Sequence, residues 1–190
     1  MPVYHSQVRN EPNQHIIGNF PLRPLRTRTR GPAQTLPPLT DGAPLFKIDP
    51  DNGSYDSVDD ALRLFRADTL FKNFAIGGSE DRVLIYGILF INELLSHLNP
   101  AMSKRDAEKA VMNVALDTNF KLPSDLKPPL NNFFQPPRDR QEAEMLRSYL
   151  VQVRQELALR LPEWIYIDGP HDNAKHWLMF RKRPFMGRSP

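Results

Sequence analysis

The chain has 190 residues, 40% of them apolar, with 19 prolines, no cysteine and a net charge of +3. That size suits one compact domain with tails, and the proline content points to long ordered connections. The lack of cysteine excludes disulfides, thiolate metal sites and cysteine nucleophiles, and fits a reducing compartment.

The charge is unevenly spread. Residues 1–35 hold five Arg and one acid, and residues 175–190 hold five Lys or Arg and no acid. The middle, with 15 bases and 21 acids, is acidic. Basic ends on an acidic body seek acidic surfaces on a protein, a phosphate backbone or a membrane.

The opening MPVYHSQVRN has no apolar run, so no secretory signal is expected there. Residues 1–34 show no stable period and read as an extended basic arm carrying Arg23, Arg26, Arg28 and Arg30. Ile16, Ile17, Phe20 and Leu22 could pin it to the body. A solvated arm and a docking arm for an acidic neighbour both stay open. Residues 35–56 read as a loop or insertion, rich in Pro and Gly. Asp49 to Gly53 superficially resembles a calcium loop, but its glycine comes one position early and Asp60 stands where Glu belongs, so a turn is expected.

A first helix is predicted from Ser57 to Phe74, with Ser57-Val58-Asp59-Asp60 in the form of a capping box. Val58, Ala61, Leu62 and Phe65 make its apolar stripe. Gly77-Gly78 breaks it. The next stretch, 79–98, opens with Ser79 as the expected cap and stops at Asn99-Pro100. Val83 to Ile91 carries no charge, and a helix apolar all round is one surrounded on every side. Nine uncharged residues fall short of the ~20 that a membrane span needs. Gly87 weakens the helix by about 1 kcal/mol relative to Ala, which predicts a second helix crossing there. Asn92, Glu93, Ser96 and His97 mark where this central helix reaches the surface.

Ser103 is expected to cap a short helix ending near Asp117, with Ala107, Ala110, Val111 and Val114 buried. The proline-rich connection that follows contains Phe120, Leu122, Leu130, Phe133 and Phe134, too apolar for a free linker. Residues 138–161 show helical spacing of Ala143, Leu146, Leu150, Val153, Leu157 and Leu161. Arg138, Arg140, Glu142, Glu144, Arg147, Arg154, Glu156 and Arg160 are expected on the other faces, with Glu144–Arg147 and Glu156–Arg160 pairs. Pro162 is expected to end the helix. Beyond it, Asn173 could cap a last helix carrying Trp177, Leu178 and Phe180, although a strand is equally compatible with those residues.

No G-x-S-x-G, P-loop, dinucleotide fingerprint or HExxH is present, and His171 and His176 near Asp172 form only a weak metal-like grouping. The residues therefore describe a helical, non-enzymatic interaction protein without catalytic, cofactor or metal residues. A basic nucleic-acid-binding helical module is the alternative, supported by the charged ends but lacking a fold motif.

Several separated blocks resemble subunit 3, the small helical subunit, of the actin-related protein 2/3 complex. They are Met1-Pro2 with Tyr4-His5-Ser6, Ile17-Gly18-Asn19, Gly31-Pro32-Ala33, Asp59-Asp60-Ala61 through Phe65, Phe71 to Phe74, and Asp81-Arg82 with Leu84-Ile85-Tyr86. Arg147 with Tyr149-Leu150, Arg154-Gln155-Glu156, Leu159-Arg160-Leu161 and a final block from Lys175 to Met186 complete the set. Residues 35–56 run longer than the family's usual connection, His176 replaces a tryptophan, and Pro184 interrupts the last block.

The resemblance implies an all-α fold of about five helices, with the helix near 79–98 central, in one domain spanning 1–190 whose helical body is 57–190. It implies a non-catalytic, cytoplasmic subunit of the actin cytoskeleton that supports nucleation of branched filaments. Its partners would be the other subunits, chiefly actin-related protein 3, and the actin filament, with no nucleic acid and no membrane insertion. No cofactor is implied, since nucleotide binding belongs to the actin-related subunits. Candidate interface residues are Arg23, Arg26, Arg28, Arg30, Lys175, Arg181, Lys182, Arg183 and Arg188.

Overall fold

A computed structural model of the chain describes residues 4–8, 14–40, 48–69, 74–167 and 172–182. Among them are five α-helices: α1 (Ser57–Asp68), α2 (Asp81–Ser96), α3 (Lys104–Leu116), α4 (Arg140–Ile165) and α5 (Asp172–Leu178). The fold is mostly helical rather than strictly all-α. The expected class is corrected by a small antiparallel hairpin, β1 (Ile16–Ile17) with β2 (Phe20–Pro21). Gly18 makes its turn at φ +60°, a region open chiefly to glycine, and a Cβ there would lie 2.3 Å from the Gln135 carbonyl oxygen. Asn19 fastens the turn to the proline-rich connection, donating to Phe133 O at 3.1 Å and accepting from Gln135 N at 2.8 Å.

Helix α2 is the axis. It packs against α1, α3, α4, β2 and the 3-10 turn Met179–Lys182, and every residue from Val83 to Ile91 is buried. A Cβ on Gly87 would stand 2.6 Å from the Ala61 Cβ, so α1 crosses α2 at that glycine, as its position predicts. Ser96 and His97 are exposed, and Asn92 and Glu93 half-buried, at the end expected to emerge.

Four helix boundaries differ from the expectations. Helix α1 is capped by Asp56, not Ser57: its carboxylate accepts from Val58 N and Asp59 N, and Asp59 returns the bond to Asp56 N at 3.1 Å. Asp60, the other half of the expected box, is taken by tertiary partners, the Ser6 and Tyr55 hydroxyls at 2.5 and 2.7 Å. Helix α1 stops at Asp68, where the Thr69 hydroxyl donates back to Phe65 O at 3.0 Å; residues 70–73 lie outside the described ones, and Phe74 is buried outside the helix.

Ser79 does not cap α2 but donates to Glu80 at 3.1 Å. Asp81 gathers the Gly77 and Ser6 amides, both at 2.8 Å. Helix α4 runs through Pro162 to Ile165. Proline removes one amide from the ladder, but burial of Ile165 and the contact of Trp164 with Trp177, 6.3 Å between ring centroids, sustain the last turn.

Elsewhere local chemistry holds. Ser103 accepts from Asp106 N and caps α3. Residues 49–55 form turns, with Asn52 N bonded to Asp49 O and Tyr55 N to Asn52 O. The proline-rich connection packs on the core through Leu122, Leu130 and Phe134. Residues 172–178 are helical rather than extended, with Asn173 inside the helix, and Trp177 stacks on Phe65 at 5.6 Å.

Candidate partner-binding surface

The buried side of α4 is polar to an extent its periodicity does not predict. Arg154, Glu156 and Arg160 were expected on solvent-facing sides, yet each is buried. Arg160 lies between Asp56 (2.7 Å), Asp59 (3.1 Å) and Glu156 (3.1 Å), and also donates to Arg26 O at 2.5 Å. Burial works against ionisation of Asp56, but Arg160 and Arg26 overcome it and hold its carboxyl below the usual carboxylate range. Asp59 is pushed up, by burial and by the charge of Asp56. Burial also opposes the Arg160 charge, and the carboxylates around it raise its pKa despite that. The Arg160 charge is thus matched by anions from the start of α1, more than 100 residues away in sequence.

The same face of α4 holds residues 23–33 in place. Tyr149 donates to Arg23 O at 2.9 Å, and Gln152 donates to Thr29 O at 2.9 Å while accepting from Ala33 N at 3.0 Å. A Cβ on Gly31 would fall 2.3 Å from the Gln152 side chain, which explains the glycine there. The N-terminal residues are tied to α1 and α2 by carboxylates. Tyr4 N donates to Asp68 at 3.2 Å, His5 Nδ1 meets Asp81 at 2.6 Å, and Gln7 N donates to Asp60 at 3.1 Å. Burial raises Asp60 and lifts Asp68 to about 7, the nearby charge of Asp81 adding to the latter shift.

These contacts separate the sequence-selected basic residues. Arg23 is 1% exposed and donates to Gln14 at 3.0 Å. Arg26 forms a two-point pair with Asp59, at 2.7 and 3.0 Å. Both therefore serve the interior of the fold. Arg28, Arg30 and Lys175 are exposed. Arg181 and Lys182 fall in the 3-10 turn after α5, and Arg183 and Arg188 lie outside the described residues.

The structure adds a surface that spacing did not single out. Leu159 is 54% exposed on α4 and stands between two open grooves of about 720 and 730 Å³. One is lined by Leu36, Pro38 and Leu39 beside Arg28; the other by Met112 beside Arg105 and Lys109. The signal was present: Leu159 is apolar yet lies off the stripe that passes through Leu157 and Leu161. Among the described residues no group of three His, Asp or Glu could hold a metal ion, and no helix is long and apolar enough to cross a membrane.

An apolar ridge flanked by charge, on a helical body whose buried Arg23 and Arg160 are spent on structure, belongs to the class of helical scaffold and interaction proteins. Comparison with known proteins makes the class specific. The family model described as ARP2/3 complex ARPC3 (21 kDa) subunit matches residues 1–189, and the chain belongs to that family. It is similar to the actin-related protein 2/3 complex subunit 3 of Saccharomyces cerevisiae, 46% identical over 100% of this chain and 99% of the relative. The corresponding subunit of Schizosaccharomyces pombe is 39% identical over 100% and 99%, and that of Dictyostelium discoideum 38% over 98% and 99%. The family resemblance read from the sequence is thus borne out, and the chain is a structural protein of the actin cytoskeleton, not an enzyme.

Proposed function

We propose that this chain is the structural subunit of an actin-related protein 2/3 complex. It packs on the actin-related protein 3 subunit and helps position the assembly at the branch of a cytoplasmic actin filament. Family membership along residues 1–189 is the observation that carries this reading. The ridge at Leu159 supports it, because an exposed large apolar side chain between two grooves is what a subunit contact desolvates. Arg28, Arg30 and Lys175, with Arg181, Lys182, Arg183 and Arg188, supply the charge that would steer it toward acidic neighbours.

Affinity purification of the tagged chain should recover two actin-related proteins, and their absence refutes the assignment. Leu159→Asp should leave the chain folded, with melting unchanged, and reduce co-purification and branching. Unchanged recovery of the complex would take Leu159 out of the interface. Neutralising the exposed bases should weaken assembly most at low salt, where their charge is least screened.

A further inference from the structure

We propose that the groove between α2, α4 and residues 117–127 is a carboxylate-binding site for an acidic and apolar segment of a partner polypeptide, with Arg154 as its anchor. The groove encloses about 460 Å³, within the range of sites that hold a ligand side chain. Its inner end is the Arg154 guanidinium, 4.1 Å from the Phe90 ring centroid and 4.2 Å from that of Phe120. Aromatic faces on a guanidinium leave its in-plane edges for hydrogen bonding, and a carboxylate fits such an edge with two parallel bonds.

Part of that capacity is unused among the described residues. Arg154 is 5% exposed, and among the described residues its Nε has no hydrogen-bond partner; the equally buried Tyr86 hydroxyl lies beside it. The carboxylate of Glu93 stands 3.8 Å away, beyond hydrogen-bond reach, on a side chain 42% exposed. Neighbouring Arg147, by contrast, is satisfied by the carbonyls of Thr118 and Phe120. Buried donors without acceptors are costly and so point to an incoming acceptor.

The surroundings select the ligand. Leu89, Phe90 and Leu126 offer apolar surface next to the cation, while Lys121 and Lys127 stand exposed at the rim. Glu93 and Asp117 line the same groove and offset most of that charge, so planar two-point bonding rather than charge density decides what binds. This favours a carboxylate flanked by apolar side chains over a free phosphate.

The test uses the isotope-labelled full chain and three probes: the capped tripeptide acetyl-Leu-Glu-Leu-amide, its Gln counterpart, and inorganic phosphate. The Glu peptide should saturably shift the Arg154 Nε–H resonance and the amides of Phe90 and Phe120. The Gln peptide should bind about tenfold more weakly, the loss expected for a charge-assisted bond. Glu93→Gln, which removes the competing carboxylate, should tighten the Glu peptide about threefold, and Arg154→Gln should abolish its binding. If Arg154→Gln does not fold, joint replacement of Lys121 and Lys127 by Ser should weaken the Glu peptide while leaving the Gln peptide unaffected. Equal binding of the Glu and Gln peptides, shifts confined to another surface, or tighter binding of phosphate than of the Glu peptide would each overturn the proposal.

Discussion

Gly87→Ala is the most direct test of α2 as a crowded axis. On an exposed helix this change stabilises by about 1 kcal/mol, because alanine is the better helix former. Here the new Cβ would be only 2.6 Å from the Ala61 Cβ, against the 3.5–4.0 Å at which carbon atoms attract. Ala61 has no flexible side chain to move aside, so α1 must retreat by about 1 Å and loosen its contact along Val58, Leu62 and Phe65. Overpacking of this kind costs about 1–3 kcal/mol, which exceeds the propensity gain. Net destabilisation of about 1 kcal/mol is expected, or a fall of about 2–4 °C in melting temperature for a chain of this size. Gly87→Leu should be far worse. Ala61→Gly in the Gly87→Ala background should restore part of the loss, since it removes the opposing Cβ. Urea and thermal melts followed by circular dichroism at 222 nm would measure the double-mutant cycle. Additive effects of the two changes, or stabilisation by Gly87→Ala alone, would refute the close crossing.

The other predictions concern polar groups. Arg160→Met leaves Asp56 buried without its directly paired cation, only Asp59 keeping Arg26, and should cost about 3–5 kcal/mol, read from the urea midpoint; a neutral result would mean the network is not needed to hold α1 on α4. Asp68 holds its proton up to about pH 7 in the folded chain, whereas the unfolded chain releases it near pH 4. Folding therefore takes up a proton in that window, and this contribution to stability is fully present below about pH 4 and lost as pH rises through about 7. Asp68→Asn should remove that dependence and gain on the unmodified chain between pH 5 and pH 8 in paired urea melts; an unchanged difference would show that Asp68 titrates normally. Ser103→Ala should cost about 1 kcal/mol as a lost cap, while Ser79→Ala, which removes no cap, should leave the urea midpoint nearly unmoved.

Local chemistry made much of the fold legible. The uncharged run Val83 to Ile91 has no face to give to water, so it had to be enclosed, and Gly87 within it marked the crossing. Ser103 caps where it was expected, its hydroxyl accepting from Asp106 N three residues on. The stripe through Leu146, Leu150, Val153, Leu157 and Leu161 identified α4 correctly, since side chains three and four residues apart share a face whatever the surroundings.

Tertiary structure decided the rest, for a common reason: a polar group's role depends on partners that sequence spacing does not reveal. The expected Ser57–Asp60 box moved back one residue because Asp60 is claimed by Ser6 and Tyr55, leaving Asp56 and Asp59 to cap α1. Arg23, Arg26 and Arg160 look like surface charge in the sequence. They are interior because carboxylates, amides and carbonyls brought from elsewhere offset their desolvation. Leu159 is the converse, an apolar residue that the described residues leave 54% exposed. The sequence by itself determined the first four helices, the central axis and the family; only the packing of α4 against α1 and the N-terminal residues decided which charges and which leucine stay exposed.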